Sequence, residues 1–436
     1  MPGDDMTAGA PAARGPVEPE AVLDLIGPGT DLIVPLAVGE PVTVLDAVEE
    51  AAPELRDVRV HQMHALVDRP YLDGRWGSRL RHVSYFLSPV TRPHFHEGGV
   101  DLVPSHFSEV PALLAQSCER PVVLAAASGP DRHGYFSLGC NADYVASFIG
   151  RVPVFLEANE QMPRTHGNNT VHMSQVAGWC RVDRPLLEVP PGRPTDVDRA
   201  IGRLVAERIE DGSTIQVGLG AVPDAVMQEL TDHHDLGVHT ELVSDGLVAL
   251  AEAGVVTGVH KAHHRNRMVT TFALGTRRVY DFLDENPVVE FLGVEYVNDT
   301  RVIASHDRFV SINATTEVDL LGQCASETIH GRYWSGSGGQ ADFAKGAMMS
   351  RDGQGFIALH STAKDGATSR IVSRLTRGSV VTTLKNTVDK VVTEWGVAEL
   401  RGATLSQRAE RLIGVSHPDY RDQLAREAHH LGYLRH

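Results

Sequence analysis

Cysteine is scarce in this chain: four in 436 residues (Cys118, Cys140, Cys180 and Cys324), widely separated and never as a Cys-x-x-Cys pair. That excludes a disulfide framework, and the four read as reduced thiols of a cytoplasmic protein. Long apolar runs are also missing. No stretch approaches membrane-spanning length, and the N-terminus lacks the apolar core of a signal peptide. Positive charge is in deficit, 40 Lys and Arg against 56 Asp and Glu; the net -16 disfavours nucleic acid and anionic membrane as partners. An anionic ligand would need a local site. Histidine is plentiful at 22, with pairs at His94/His96, His233/His234, His263/His264 and His429/His430, but no His-Glu-x-x-His or similar helical pair accompanies them. No metal site is expected. What remains, 42% apolar and 22% charged residues, is the make-up of a soluble globular protein large enough for two or three domains.

The chain is organised around residues 214–246. Ile215 to Gly218 read as a short buried strand, and the turn Gly218-Leu219-Gly220-Ala221-Val222-Pro223 opens a helix with apolar Ala225, Val226, Met227 and Leu230. Glycines at such a turn admit a ligand to the backbone, and a helix start offers N–H groups to an anion. A second strand, Leu236 to Thr240, delivers Glu241 at its carboxyl end, where ligands bind in open α/β sheets. On these residues alone a tight turn and a solvated carboxylate fit equally well. The turn lacks the third glycine of the dinucleotide fingerprint, which argues against a nicotinamide dehydrogenase.

Residues 1–18, rich in Ala, Pro and Gly, read as a disordered tail. After them the strand-turn-helix order occurs twice. Gly29, an apolar strand, Pro41 and a helix match Gly212, a strand, Pro223 and a helix, with 12 and 11 residues from Gly to Pro. This predicts two related domains, 19–190 and 191–436, joined through the proline-rich Val189–Thr195. Short apolar runs alternate with helical patterns: Val58–Val60, Val122–Ala126, Val152–Leu156, Met268–Ala273, Arg301–Ala304, Phe309–Asn313 and Val380–Thr383 read as strands. The expected class is α/β with largely parallel sheets.

Further motifs carry a resemblance. They are Pro104–Pro111, Asp131–Gly139, Glu157–Gly167, Val294–Asn298, Ser311–Gln323 and Ser335–Phe343, besides the glycine turn and His239–Gly246. Together they resemble the acetyl-CoA hydrolase/4-hydroxybutyrate CoA-transferase family, of the class I CoA-transferase type, over residues 20–430. The resemblance implies two CoA-transferase-type (NagB/RpiA-like) domains with the active site in the cleft between them, and a homodimer. Glu241 falls at the family's catalytic glutamate. Glu317, also after an apolar strand in a shared motif, is the rival nucleophile. Gly338 and Gly339 fall in the family's glycine loop, which serves the thioester oxygen. Gly218, Leu219, Gly220, Ala221 and Val222 would line the thiol end of CoA, with Thr316, Gly339 and Lys364 at further CoA contacts.

Chemistry fits these residue types. A carboxylate can attack a thioester, form an acyl-glutamyl anhydride, and become a glutamyl-CoA thioester that a second acid reverses. No permanent cofactor is needed; CoA and acyl-CoA are substrates, with small carboxylic acids. The nucleophile has to stay ionised, so a hydrogen-bonding neighbour such as Asn298 is preferable to an apolar pocket. The expected activity is CoA transfer, with acyl-CoA hydrolysis by the same glutamate and a non-catalytic CoA-binding protein as alternatives. Two departures, His330 and Trp334, are expected to reshape the acyl pocket.

Overall fold

The computed structural model describes residues 15–434, so the first fourteen residues of the expected tail lie outside it. The chain divides into two compact units. The first holds residues up to Val103, Pro111–Leu187 and Leu283–Asn286; the second holds Pro104–Val110, Glu188–Phe282 and Pro287 onward. The segment Pro104–Val110 thus lies with the second unit although it precedes residue 190.

The first unit is built on a seven-stranded sheet of β1 (Asp31–Val34), β2 (Val58–Gln62), β3 (Leu80–Ser84), β4 (Val100–Leu102), β5 (Pro121–Ala127), β6 (Val154–Asn159) and β7 (Gly178–Val182), ordered β7-β6-β5-β1-β2-β3-β4. Every pairing in it is parallel. Continuous burial of β1 and of Val122–Ala127 shows why: sheets covered on both faces need unbroken apolar runs. After β1 the chain turns through Ala37–Gly39 into the helix Val42–Glu50. The buried Glu157 of β6 meets that helix start, accepting from Thr43 N at 2.7 Å and Val44 N at 3.1 Å.

The second unit repeats the plan. Its sheet comprises β8 (Thr214–Val217), β9 (Gly237–Val238), β10 (Phe309–Ala314), β11 (Gln354–Ala358), β12 (Lys390–Thr393) and β13 (Gly396–Glu399), ordered β9-β8-β10-β11-β12-β13. Only β12–β13 is antiparallel. In both units the opening strand follows a left-handed glycine, Gly29 at φ 73° and Gly212 at φ 74°, and lies between the next strand in sequence and a later one. The helix Asp196–Ala206 begins at Thr195, whose hydroxyl accepts from Asp198 N at 3.2 Å while Asp198 accepts from Thr195 N at 2.8 Å.

Two expected strands differ. Residues 301–304 belong to the helix Thr300–Ala304, because Asp299 caps it by accepting from Arg301 N at 2.7 Å. Val380–Thr383 forms no strand; its pairing is confined to one bridge, Thr383 to Cys324, so β-branched residues with so short a ladder stay irregular. The α/β class with largely parallel sheets stands.

Candidate active site

Glu241 follows β9 and sits just before the strand Leu242–Val243. Its backbone is held from one side: its carbonyl accepts from Thr271 N at 3.1 Å, Phe272 N at 2.9 Å and Thr270 Oγ1 at 2.8 Å. Thr240 Oγ1 lies 3.4 Å from both the N and O of Val217, so the strand end that carries Glu241 lies beside the strand that leads into Gly218. Parallel pairing makes both strands end on the same edge.

Asn298 closes the short helix Val294–Val297 and is fully buried. Its Nδ2 donates to Glu241 Oε1 at 2.5 Å and to Asp342 Oδ2 at 3.2 Å. His239, on the Glu241 strand, bonds through Nε2 to Val297 O at 2.7 Å and ties the two segments together. Gly339 caps the helix Gln340–Met349. A Cβ there would fall 1.7 Å from Glu241 Oε1 and 2.2 Å from Asn298 Nδ2. The position is glycine because the carboxylate and the amide occupy the space of a side chain. Gly338, at φ 55°, turns the chain into that helix and accepts from Phe107 N at 3.0 Å. A helix start leaves backbone N–H groups without intrahelical partners, which suits a developing oxyanion.

Burial pushes the Glu241 carboxyl up to about 8; the Asn298 amide pulls it down, and the Asp342 carboxyl adds to the rise. The sequence pointed to the amide in preference to an apolar pocket, and the structure supplies the amide but buries the carboxyl as well. Desolvation outweighs one hydrogen bond.

The remaining candidates are dispersed. Gly218 packs on β10, where a Cβ would lie 2.9 Å from Asn313 Oδ1. Gly220 takes φ 131°, a conformation only glycine adopts readily, and opens the helix Ala221–Gln228; Leu219 is exposed and Val222 buried. Thr316 Oγ1 lies 2.5 Å from Ala325 O and 2.7 Å from Thr328 O, so its hydroxyl serves the backbone. Thr316 lines a cavity of about 160 Å³ with Glu317, His330, Ala363 and Arg370. Lys364 is exposed beside it, in the turn between Thr362–Ala363 and Thr368–Ser369. Glu317 is occupied: it accepts from Thr376 N at 3.1 Å, Thr376 Oγ1 at 2.6 Å and Ser379 Oγ at 3.3 Å. His330 (φ 50°) and Gly331 (φ 73°) form the tight turn between Thr328–Ile329 and Arg332–Tyr333.

Two residues at the site escaped the sequence reading. Asp342 lies three residues past Gly339 in a quoted motif, and Ser108 lies in Pro104–Pro111, but no local pattern links them. Among the described residues Asp31, His61 and Cys118 could gather round an ion. The oxygens of Asp31 already accept from Arg59 at 2.7 Å and Glu119 N at 2.8 Å, with His61 at 3.2 Å. Burial works against the Asp31 anion, yet His61 and Arg59 hold its carboxyl down at about 2, as befits a buried structural ion pair.

The two-unit α/β fold is that of CoA-transferase-family structures. RipA from Yersinia pestis superposes with a TM-score of 0.91 at 35% identity, covering 96% of this chain and 98% of its own. The acetyl-CoA hydrolase/transferase N-terminal domain model matches residues 10–188 and the corresponding C-terminal domain model residues 275–428. The chain belongs to the acetyl-CoA hydrolase/transferase family. It is 44% identical over 422 residues to the succinyl-CoA:cyclohexane-1-carboxylate CoA transferase of Geobacter metallireducens, covering 96% of this chain and 95% of that one. It is also 41% identical to the 4-hydroxybutyrate coenzyme A transferase of Clostridium kluyveri, covering 90% and 92%.

Proposed function

We propose that the protein is an acyl-CoA:carboxylate CoA-transferase whose nucleophile is Glu241. One observation carries the assignment: the Glu241 carboxylate packs onto Gly339 at a helix start, with the Asn298 amide 2.5 Å from its Oε1. A Glu241 oxygen attacks the thioester carbonyl carbon, the C–S bond breaks, and CoA leaves as thiolate with Glu241 in an anhydride. The thiolate then attacks the glutamyl carbonyl, the anhydride C–O bond breaks, and the first acid departs as carboxylate. The acceptor carboxylate reverses both steps and leaves as its CoA ester. Protons balance without a general acid, and neither metal nor permanently bound cofactor is required.

Asn298 and the Gly338–Gly339 loop are the proposed donors to the oxyanions of these tetrahedral intermediates, each donor contributing about 3–4 kcal/mol to lowering the barrier. Gly218 to Val222, Thr316 and Lys364 are the proposed contacts for the rest of CoA. Substrates are a short acyl-CoA and a small carboxylic acid such as acetate or 4-hydroxybutyrate. Family membership and four unpaired cysteines support a cytoplasmic homodimer. Among the described residues no helix is long and apolar enough to cross a membrane.

The test is an acyl-CoA panel assayed with and without added carboxylate, following both CoA esters and free thiol. Transfer predicts parallel double-reciprocal lines and a borohydride-trapped CoA adduct on the peptide bearing Glu241, lost in Glu241→Ala. Equal thiol release with and without acceptor would assign a hydrolase instead. A label on Glu317, or exchange by Glu241→Ala, would refute the nucleophile.

A further inference from the structure

The amide of Asn298 has two hydrogens, and both are taken by carboxylates: Glu241 Oε1 at 2.5 Å and Asp342 Oδ2 at 3.2 Å. Among the described residues its oxygen, Oδ1, is buried and accepts no hydrogen bond. Among the described residues the side chain is oriented from its nitrogen end, by the two carboxylates. Turning the amide over would put an oxygen against two carboxylates. Asp342 is itself held in place. Its Oδ1 accepts from Ser108 Oγ at 2.9 Å and its Oδ2 from Ser108 N at 3.3 Å, while its backbone lies in the first turn of the helix that Gly339 caps. At 7% exposure it is nearly sealed from water.

The two carboxylates differ in what the reaction does to them. Glu241 becomes an anhydride and then a thioester, and in both forms its carbonyl is neutral and binds an N–H more weakly than a carboxylate does. During those steps Glu241 no longer fixes the Asn298 amide. Yet then the glutamyl carbonyl is attacked, and its oxygen needs the donor. Asp342 forms no bond in the cycle and keeps its place throughout.

We infer that Asp342, braced by Ser108, is a positioning residue that keeps the Asn298 amide hydrogens aimed at the glutamyl carbonyl oxygen while Glu241 is acylated. This rests on the assignment of Glu241 as nucleophile. A second consequence follows from charge. Burial is the main cause that raises the Glu241 carboxyl, and the Asp342 anion adds to it. Burial also raises Asp342, against the pull of Asn298, Ser108 and the nearby His106. Neutralising Asp342 should let Glu241 ionise at lower pH.

The experiment compares wild type, Asp342→Asn, Ser108→Ala, Asn298→Ala and the double variant Asp342→Asn/Asn298→Ala as full-length protein, measuring kcat, KM for acyl-CoA and the pH profile of kcat/KM. Asp342→Asn is expected to lower kcat by about 10- to 100-fold with KM changed less than about threefold. The acid limb of its profile should move to lower pH, while in Ser108→Ala, which leaves the Asp342 charge in place, it should stay; water admitted by loosened packing would move it in both. In the Asn298→Ala background the same change should cost less than about threefold, since the residue acts through Asn298. Ser108→Ala should lower kcat in the same direction by a smaller factor, and it decides the matter if Asp342→Asn does not fold. Undiminished kcat in Asp342→Asn or, failing that protein, in Ser108→Ala overturns the inference. So does full additivity in the double variant. A wild type that transfers no CoA would instead overturn the functional assignment beneath it.

Discussion

Replacing Gly339 by alanine adds one carbon at the tightest point of the site. That carbon would lie 1.7 Å from Glu241 Oε1, while real Cβ contacts essentially never fall below 3.0 Å, so the carboxylate has to retreat by about 1.3 Å. Asn298 Nδ2, 2.2 Å from the same carbon, has to move with it. The Glu241 carboxylate, at the end of a flexible side chain, can swing aside, but only by leaving the position held by the Asn298 amide, and Asn298 is wholly buried. A displacement of about 1 Å at reacting atoms costs roughly 100-fold in rate, near 2.7 kcal/mol of barrier. We therefore expect Gly339→Ala to lower kcat for CoA exchange at least about 100-fold, and Gly339→Val to be no better. Gly414→Ala is the control. It ends the helix Leu405–Gly414, a Cβ there meets nothing within 4 Å, and its turnover should be unchanged. The assay is initial-rate exchange between an acyl-CoA and a labelled acid, with thermal melts to show that each variant folds. A folded Gly339→Ala enzyme within about fivefold of wild type would refute the steric reasoning.

Further expectations concern Glu241 ionisation and Glu317. With the Glu241 carboxyl at about 8 in the free enzyme, kcat/KM should rise with pH through that region and level off above it, because only the carboxylate attacks; a profile already flat from about pH 5 would contradict it. The same shift has a stability consequence. A carboxyl raised from 4.5 to about 8 favours the folded state at low pH, and this contribution is lost as pH climbs between those values. Glu241→Gln should consequently gain melting temperature relative to wild type across that window; a constant difference would count against the shift. Glu317→Gln should keep the covalent adduct on Glu241 and lose melting temperature, because its acceptor bonds to Thr376 and Ser379 hold a loop. Loss of the adduct in a folded Glu317→Gln protein would reopen the choice of nucleophile.

Much of the architecture was legible in the chain because it is written locally. Unbroken apolar runs, a glycine before each opening strand and a proline at each following helix suffice to announce two parallel α/β units, and both are present. Local reading failed where the signal was ambiguous. Arg301–Ala304 is too short to show a period, and the capping aspartate Asp299 made it a helix. The β-branched run Val380–Thr383 met the strand Cys324–Ala325 through a single bridge, too little to form a strand of its own.

For the site, the sequence by itself determined the residue types: a glutamate after a glycine turn, an asparagine after Val294–Val297, and a glycine loop at Gly338–Gly339. It ranked Glu241 above Glu317 only through the resemblance, since both follow an apolar strand and look alike locally. Tertiary structure separates them by their neighbours, since Thr376 and Ser379 engage one and Asn298 the other. It also showed why position 339 has no room for a side chain and joined Asp342 to Ser108, 234 residues away in sequence. The reason is physical. Propensity and periodicity act over a few neighbouring residues, whereas a carboxylate's ionisation and aim depend on whatever the fold brings within about 3 Å of it, and sequence separation carries no trace of that.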